Sequence, residues 1–140
     1  MSFLPAPVRF LDTRAGQPAG SACNMPGAQL IADTDTLFQV RSKCTGVPSG
    51  AQGIFGIVYV LNHAVSGWIT CYANTSQSLR VNWAAQPYVQ NRPYISTLYY
   101  NTAVPITNSY CAFNIGKDGK FWVYTSQTID MLIDINGYVI

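Results

Sequence analysis

The chain has 140 residues and a mass of 15.3 kDa, with eight Lys or Arg, six Asp and no Glu, for a formal net charge of +2. Hydrophobic residues make up 49% of it, which excludes an intrinsically disordered chain, and charged residues only 10%, against about 25% in an average globular domain. The basic residues are scattered, which excludes nucleic acid as a partner, and no apolar run approaches the roughly 20 residues of a membrane span.

Short apolar runs alternate with turn residues along the whole chain. In chain order they cover residues 8–14, 36–43, 54–62, 68–73, 79–83, 88–90, 96–100, 110–115, 120–125 and 129–138. No segment shows helical spacing of apolar residues over ten or more positions. Many short strands separated by turns predict an all-β fold: one antiparallel β-sandwich domain, jelly-roll-like, over residues 1–140.

Two segments give more specific predictions about strands. Residues 54–62 are almost continuously apolar, which predicts a strand buried on both faces. The turn sequence Gly-Lys-Asp-Gly at 116–119 lies between two strong strand patterns, which predicts a β-hairpin there.

The residues provide no catalytic constellation. His63 is the only imidazole, and it follows a predicted strand, where a satisfied structural role is expected. Without Glu, a glycosidase pair would need two Asp, and none has a distinctive motif. No Cys-x-x-Cys or Asp-x-Asp-x-Asp sequence indicates a metal. We therefore expect no enzyme activity, no metal and no cofactor.

Four cysteines, Cys23, Cys44, Cys71 and Cys111, are widely spaced. They permit two disulfides in three connectivities. Cys71 and Cys111 lie within predicted strands, where free cysteines commonly serve as small hydrophobic residues.

The aromatic residues are the main candidates for function. Abundant Tyr and Trp with few charges are typical of subunit interfaces, so we expect a homo-oligomer. Aromatic faces also stack on sugars, and the segment 83–100 is rich in Asn, Gln and Arg. Packing is expected for Trp68 and Tyr72. The candidates for a ligand site or an interface are Trp83, Tyr88, Tyr94, Tyr99 and Tyr100.

Polar residues in the first and last strands form a second candidate cluster. Asp12 and Arg14 share one face of the first strand, and Asp134 and Asn136 share one face of the last. If these strands are neighbours, Arg14 can form a bidentate pair with Asp134. We interpret the cluster as a structural network rather than a carbohydrate site.

Three segments resemble a known family. The chain opens with Pro-Val-Arg-Phe-Leu-Asp-Thr-Arg at 7–14, has Cys-Thr-Gly-Val-Pro at 44–48 before an apolar run ending in Leu-Asn, and closes with Leu-Ile-Asp-Ile-Asn-Gly-Tyr at 132–138. The pattern is similar to that of domains with an opening Leu-Asp-Thr-Arg motif and a closing Asp-x-Asn-Gly-Tyr motif. Such domains occur in extracellular proteins of bacteria and in some phage structural proteins.

The resemblance implies a β-sandwich module displayed outside the cell, with no catalytic activity. The family's cysteine before the first Arg is Val8 here, so its usual bridge to the position of Cys44 cannot form. Cys23 thereby becomes the candidate partner of Cys44. The family is normally secreted behind a signal peptide, which this N-terminus does not resemble. A phage protein that is made in the host cytosol and released by lysis accounts both for display outside the cell and for an N-terminus that does not resemble a signal peptide.

These observations predict a non-enzymatic structural module on a virion surface: a capsid decoration or cement protein, or a fibre-tip module. The expected partners are copies of itself, as a homotrimer, and a capsid shell or other virion protein. The alternative is a carbohydrate-binding adhesin or lectin-like module of a bacterial surface or secreted protein, with glycans as partners.

Overall fold

The computed structural model describes residues 1–83, 86–93 and 96–140. These residues form ten strands and no helix, so they contain no helix that could cross a membrane. The strands are β1 (Ser2–Asp12), β2 (Thr34–Gln39), β3 (Gly53–Leu61), β4 (Gly67–Ala73), β5 (Arg80–Trp83), β6 (Gln86–Val89), β7 (Leu98–Tyr100), β8 (Ile106–Asn114), β9 (Lys120–Thr125) and β10 (Asp130–Val139).

Eight of the strands form two antiparallel sheets. The first sheet has the order β1-β10-β3-β8 and the second has the order β2-β9-β4-β7, while β5 and β6 pair as a separate hairpin. If that hairpin is set aside and the remaining strands are renumbered, the orders become 1-8-3-6 and 2-7-4-5. Successive strands then alternate between the sheets, apart from the fourth and fifth, which is the topology of a jelly roll. The predicted β-sandwich is confirmed.

The core lies between the two sheets and is built around aromatic rings. Phe121 on β9 contacts Phe10, Phe38 and Phe113, with ring centroids 5.7, 5.8 and 4.9 Å apart respectively. Buried aliphatic side chains from the alternate, inward positions of the strands surround these rings. This alternation follows from the two-residue period of a strand, which sends every second side chain into the core.

Two strand predictions were wrong, and the sandwich explains both. The turn at 116–119 does not close a hairpin, because β8 pairs with β3 in the first sheet and β9 pairs with β2 and β4 in the second. Strand β3 is not buried on both faces: its residues alternate between buried and half-buried positions. No third sheet of the described residues covers its outward face, although Phe3 contacts Phe55 and the Arg9 guanidinium lies over the Tyr59 ring.

A buried polar network joins the two ends of the chain. The Thr13 hydroxyl donates to Asp130 Oδ1 at 2.6 Å and accepts from the Met131 backbone N–H at 2.9 Å. Asn62 donates to the other carboxylate oxygen of Asp130 at 2.8 Å. Because buried polar groups are costly unless they are paired, this network holds β10 between β1 and β3 in a single register.

A disulfide joins Cys23 to Cys44, the pair that the sequence indicated. Its Cα atoms lie 5.8 Å apart, and 21 positions separate the two residues. Cys23 is held beside β1 by a hydrogen bond from its backbone N–H to the Arg9 oxygen at 3.0 Å, while Cys44 follows β2. The bond therefore links the edge of the first sheet to the end of a strand of the second. Cys71 and Cys111 are free and buried.

Replacing Thr13 with Val will destabilise the fold, because the change removes the hydrogen-bond partner of Asp130 Oδ1 and of the Met131 N–H. We expect the free energy of unfolding to fall by about 1–3 kcal/mol. Urea denaturation measures the loss, and Thr107→Val on half-exposed β8 is the control. An equal effect of both variants would contradict the network's role.

Removing the disulfide by the double change Cys23→Ser and Cys44→Ser will lower the free energy of unfolding by about 3 kcal/mol, since a loop of this length is released in the unfolded chain. Denaturation of the wild type with and without reductant provides the comparison. Reductant should leave the free energy of unfolding of the double variant unchanged. A change in that variant would mean that Cys71 or Cys111 takes part in a disulfide.

Candidate functional site

The outer face of the second sheet carries an aromatic cluster separate from the core. Tyr72, Val89, Trp122 and Tyr124 form it, and all four are buried. Tyr72 on β4 lies opposite Trp122 on β9, and their rings stack with centroids 6.4 Å apart. Val89 belongs to the β5–β6 hairpin. The hairpin thus contributes an apolar residue to the outer face of this sheet.

A buried carboxylate organises the charges at this cluster. Asp35 on β2 accepts from the Tyr72 hydroxyl at 2.6 Å and from Arg92 Nη1 at 3.0 Å. Arg80 donates to the Asp35 backbone oxygen at 2.6 Å. Burial raises the pKa of Asp35 above its ordinary value, although the Tyr72 hydrogen bond and the nearby Arg92 charge oppose that shift. Asp35 thus connects the sheet to the first strand of the hairpin through Arg80 and to the segment after the hairpin through Arg92.

Arginines stack on the aromatic rings of the same face. The Arg92 guanidinium lies 3.8 Å from the centroid of Tyr124, and that of Arg80 lies 4.9 Å from the centroid of Trp122. The Tyr124 hydroxyl donates to Asp33 at 2.7 Å. Burial, with this hydrogen bond second, raises the pKa of Tyr124 to about 12. The hydroxyl is therefore protonated at neutral pH.

An open groove of about 400 Å³ lies beside this cluster. Trp68 and Tyr99 are directly opposite each other on β4 and β7, and their side chains are 40% and 71% exposed. The Trp68 ring meets the Tyr124 ring edge to face, with centroids 6.3 Å apart. The remaining lining residues are Thr70, Arg92, Pro93 and Ser96. The groove combines an aromatic platform with hydroxyl groups.

The five aromatic candidates from the sequence do not form one patch. Trp83 lies on β5 and Tyr88 on β6, whereas Tyr94 lies outside the described residues. Tyr99 faces outwards, but the neighbouring Tyr100 is only 3% exposed, and its hydroxyl lies 3.1 Å from Thr125 Oγ1. Trp68, assigned to packing from the sequence, is the exposed partner of Tyr99. The strand's alternation places Trp68 on the same face as Tyr72, but it does not show which of the two is exposed.

The polar network contains the predicted residues but pairs them differently. Arg14 forms a bidentate pair with Asp12, at 3.0 and 2.8 Å, and not with Asp134. Asp134 binds Arg9, through Nε and through Nη2 at 3.1 Å, because Arg9 lies directly opposite it in the register of β1 and β10. The sequence analysis missed Arg9, although the opening motif contains it.

Two other residues of the closing motif, Asn136 and Gly137, lie on β10. The Asn136 Oδ1 is buried without a hydrogen-bond partner. Gly137 has to be glycine, because a Cβ there would lie 2.3 Å from the Phe55 ring and 2.3 Å from the Ser2 backbone oxygen. The motif therefore permits the close approach of three strands.

The outer face of the first sheet has a different character. Ile57 and Tyr59 on β3 are half-buried, and Ile106 and Tyr110 on the edge strand β8 are exposed, Tyr110 by 75%. We call these four residues the β3–β8 face. Arg9 and Asp134, which lie beside Ile57 in the register, neutralise each other.

Among the described residues, no group of three or more His, Cys, Asp or Glu could hold a metal ion. The carboxylates of Asp12, Asp130 and Asp134 engage separate partners within the chain. His63 contacts the Asn101 backbone oxygen through Nε2 at 2.8 Å. No protein-family model and no curated protein matches the chain.

Two of the buried aspartates, Asp12 and Asp35, predict opposite responses to acid. The Arg14 hydrogen bond lowers the pKa of Asp12 below its ordinary 3.8, so its stabilisation holds above that pH and is lost as pH falls through the lower folded-state value. The raised pKa of Asp35 means that its charged form destabilises the fold at neutral pH. The free energy of unfolding therefore rises as pH falls from the folded-state pKa of Asp35 towards the ordinary value of 3.8.

Denaturation of Asp12→Asn and Asp35→Asn as a function of pH measures both contributions. On acidification, the wild type should lose stability relative to Asp12→Asn and gain it relative to Asp35→Asn. Parallel curves for the two variants would contradict this assignment.

Proposed function

We propose that the protein is a non-enzymatic structural module of a particle surface, most simply a phage virion protein of the capsid decoration, cement or fibre-tip kind. It acts through assembly, as a homotrimer and against a capsid shell or another virion protein. Burial of uncharged, aromatic surface between subunits stabilises the particle. The resemblance of the end motifs to domains of phage structural proteins supports the virion setting.

The β3–β8 face is the observation that carries the proposal. Strands β3 and β8 together contain 18 residues and no charged side chain. Tyr110 and Ile106 expose large apolar surfaces there, next to Ile57 and Tyr59. Depletion of charge with enrichment of Tyr is the composition of an interface core. A surface of this kind on an isolated subunit favours association.

The two edges of the first sheet differ in a way that supports the same proposal. β1 has Pro5, Pro7 and Arg9, and residues 23 and 24 hydrogen-bond to its outer side, so it is protected against pairing with another chain. β8 is nine residues long, is uncharged and contains no proline. No strand of the described residues pairs with its second side. An edge without such protection can accept a partner strand.

The topology adds support at the level of the fold. Jelly rolls recur in viral capsid proteins and in lectins, so the architecture is compatible with both functions considered for this chain. Fold alone does not determine function, so the β3–β8 face remains the feature that favours assembly.

Introducing a charge at the centre of this face will break the assembly. Tyr110→Lys with Ala112→Lys places two cations on β8, where subunits would have to desolvate them. Native mass by light scattering should give a multiple of 15.3 kDa for the wild type, threefold for a trimer, and 15.3 kDa for the double variant. Val65→Lys, at an exposed position in the β3–β4 connection, should retain the wild-type mass. A monomeric wild type would refute the assembly.

Carbohydrate binding is the second candidate function, as a lectin-like module of a bacterial surface or secreted protein. One observation favours it: Trp68 and Tyr99 lie exposed side by side at an open groove. Exposed aromatic rings next to hydroxyl groups suit the apolar face and hydroxyls of a sugar.

A further inference from the structure

We propose that the groove lined by residues of β4 and β7 and by Arg92, Pro93 and Ser96 binds one neutral pyranose ring, stacked on Trp68 and Tyr99. The proposal gives the second candidate function a site and a ligand class. It rests on that candidate and not on assembly, because the groove and the β3–β8 face belong to different sheets.

The aromatic platform is the first argument. Trp68 and Tyr99 are cross-strand partners, so the backbone pairing of β4 and β7 fixes the spacing of their rings before any ligand binds. The edge contact with Tyr124 also supports the Trp68 ring. A preorganised pair of exposed rings lowers the entropy that binding must overcome.

The polar lining is the second argument. Thr70 and Tyr124 face each other across β4 and β9, and Ser96 and Arg92 come from the segment that leads into β7. Thr70 and Tyr124 are buried, and the Tyr124 hydroxyl donates to Asp33, so the half-buried Ser96 offers the accessible hydroxyl group beside the aromatic rings, as sites for polyhydroxylated ligands require. The volume of about 400 Å³ lies within the range of small-molecule sites, about 300–1,000 Å³.

The charge balance selects a neutral sugar over an acidic one. Arg92 is paired with Asp35, and Arg80 is bound to the backbone oxygen of the same residue. With Asp33 bound to Tyr124, the charged groups that hydrogen bonds connect to the lining (Arg92, Arg80, Asp35 and Asp33) carry two positive and two negative charges. A sialic acid or uronic acid would find no excess positive charge there.

Fluorine NMR of the full chain labelled with 5-fluorotryptophan tests the proposal in any assembly state. The Trp68 signal is assigned as the one lost in Trp68→Phe. The probes are glucose, galactose, mannose and N-acetylglucosamine, with sialic acid as the acidic comparison. We expect at least one neutral sugar to shift the Trp68 signal saturably, with a dissociation constant on the order of 1 mM.

Matched variants locate the site. Tyr99→Ala should weaken binding by about tenfold or more, whereas Tyr110→Ala, which removes an equally exposed tyrosine from the other sheet, should leave it unchanged. The proposal is overturned if none of the four neutral sugars gives a saturable shift, if sialic acid binds more tightly than all of them, or if both tyrosine variants bind alike. None of these outcomes depends on the native mass of the protein, so the sugar site and the assembly are tested independently of each other.

Discussion

The pairing of the first strand with the last is the contact on which the rest of the structure depends. β10 lies between β1 and β3, so the first sheet is continuous only when residues from both ends of the chain have met. Thr13 and Asp130 are buried at that junction, and burial is tolerable because they bond to each other and Asp130 also accepts from Asn62. Such long-range pairing places the fold among those that form slowly, since the loop entropy is lost before the contacts are made.

The outer faces of the two sheets differ in how far side chains of the same chain cover them. The second sheet buries Tyr72, Trp122 and Tyr124 on its outer face, with Arg80 and Arg92 stacked above them and Asp35 as their counter-charge. The first sheet has no such layer among the described residues, and it leaves Tyr110 and Ile106 exposed. One face is completed within the chain, whereas the other has the composition of a surface that is completed by a partner.

Strand periodicity was sufficient to predict an all-β sandwich, because alternation and turn residues are local signals. The pairing of strands is not local, which is why the turn at 116–119 resembled a hairpin although it joins two sheets. For the same reason Arg14 was paired with Asp134: the register that places Arg9 there depends on irregularities in β1 that no local pattern reveals. Trp68 was assigned to packing because alternation groups the residues of one face without showing whether a given position on that face is covered.

The β5–β6 hairpin is inserted at a single connection, between β4 and β7, and the eight-stranded frame is complete without it. Frame and insertion can therefore diverge at different rates during evolution, with the hairpin changing while the sheets stay constant. One condition limits this freedom. Asp35 belongs to the frame, but its counter-charge comes from Arg92, which follows the hairpin. A segment that replaces this region must therefore place a cation beside Asp35, or Asp35 must be replaced as well, because a buried carboxylate without a counter-charge is costly.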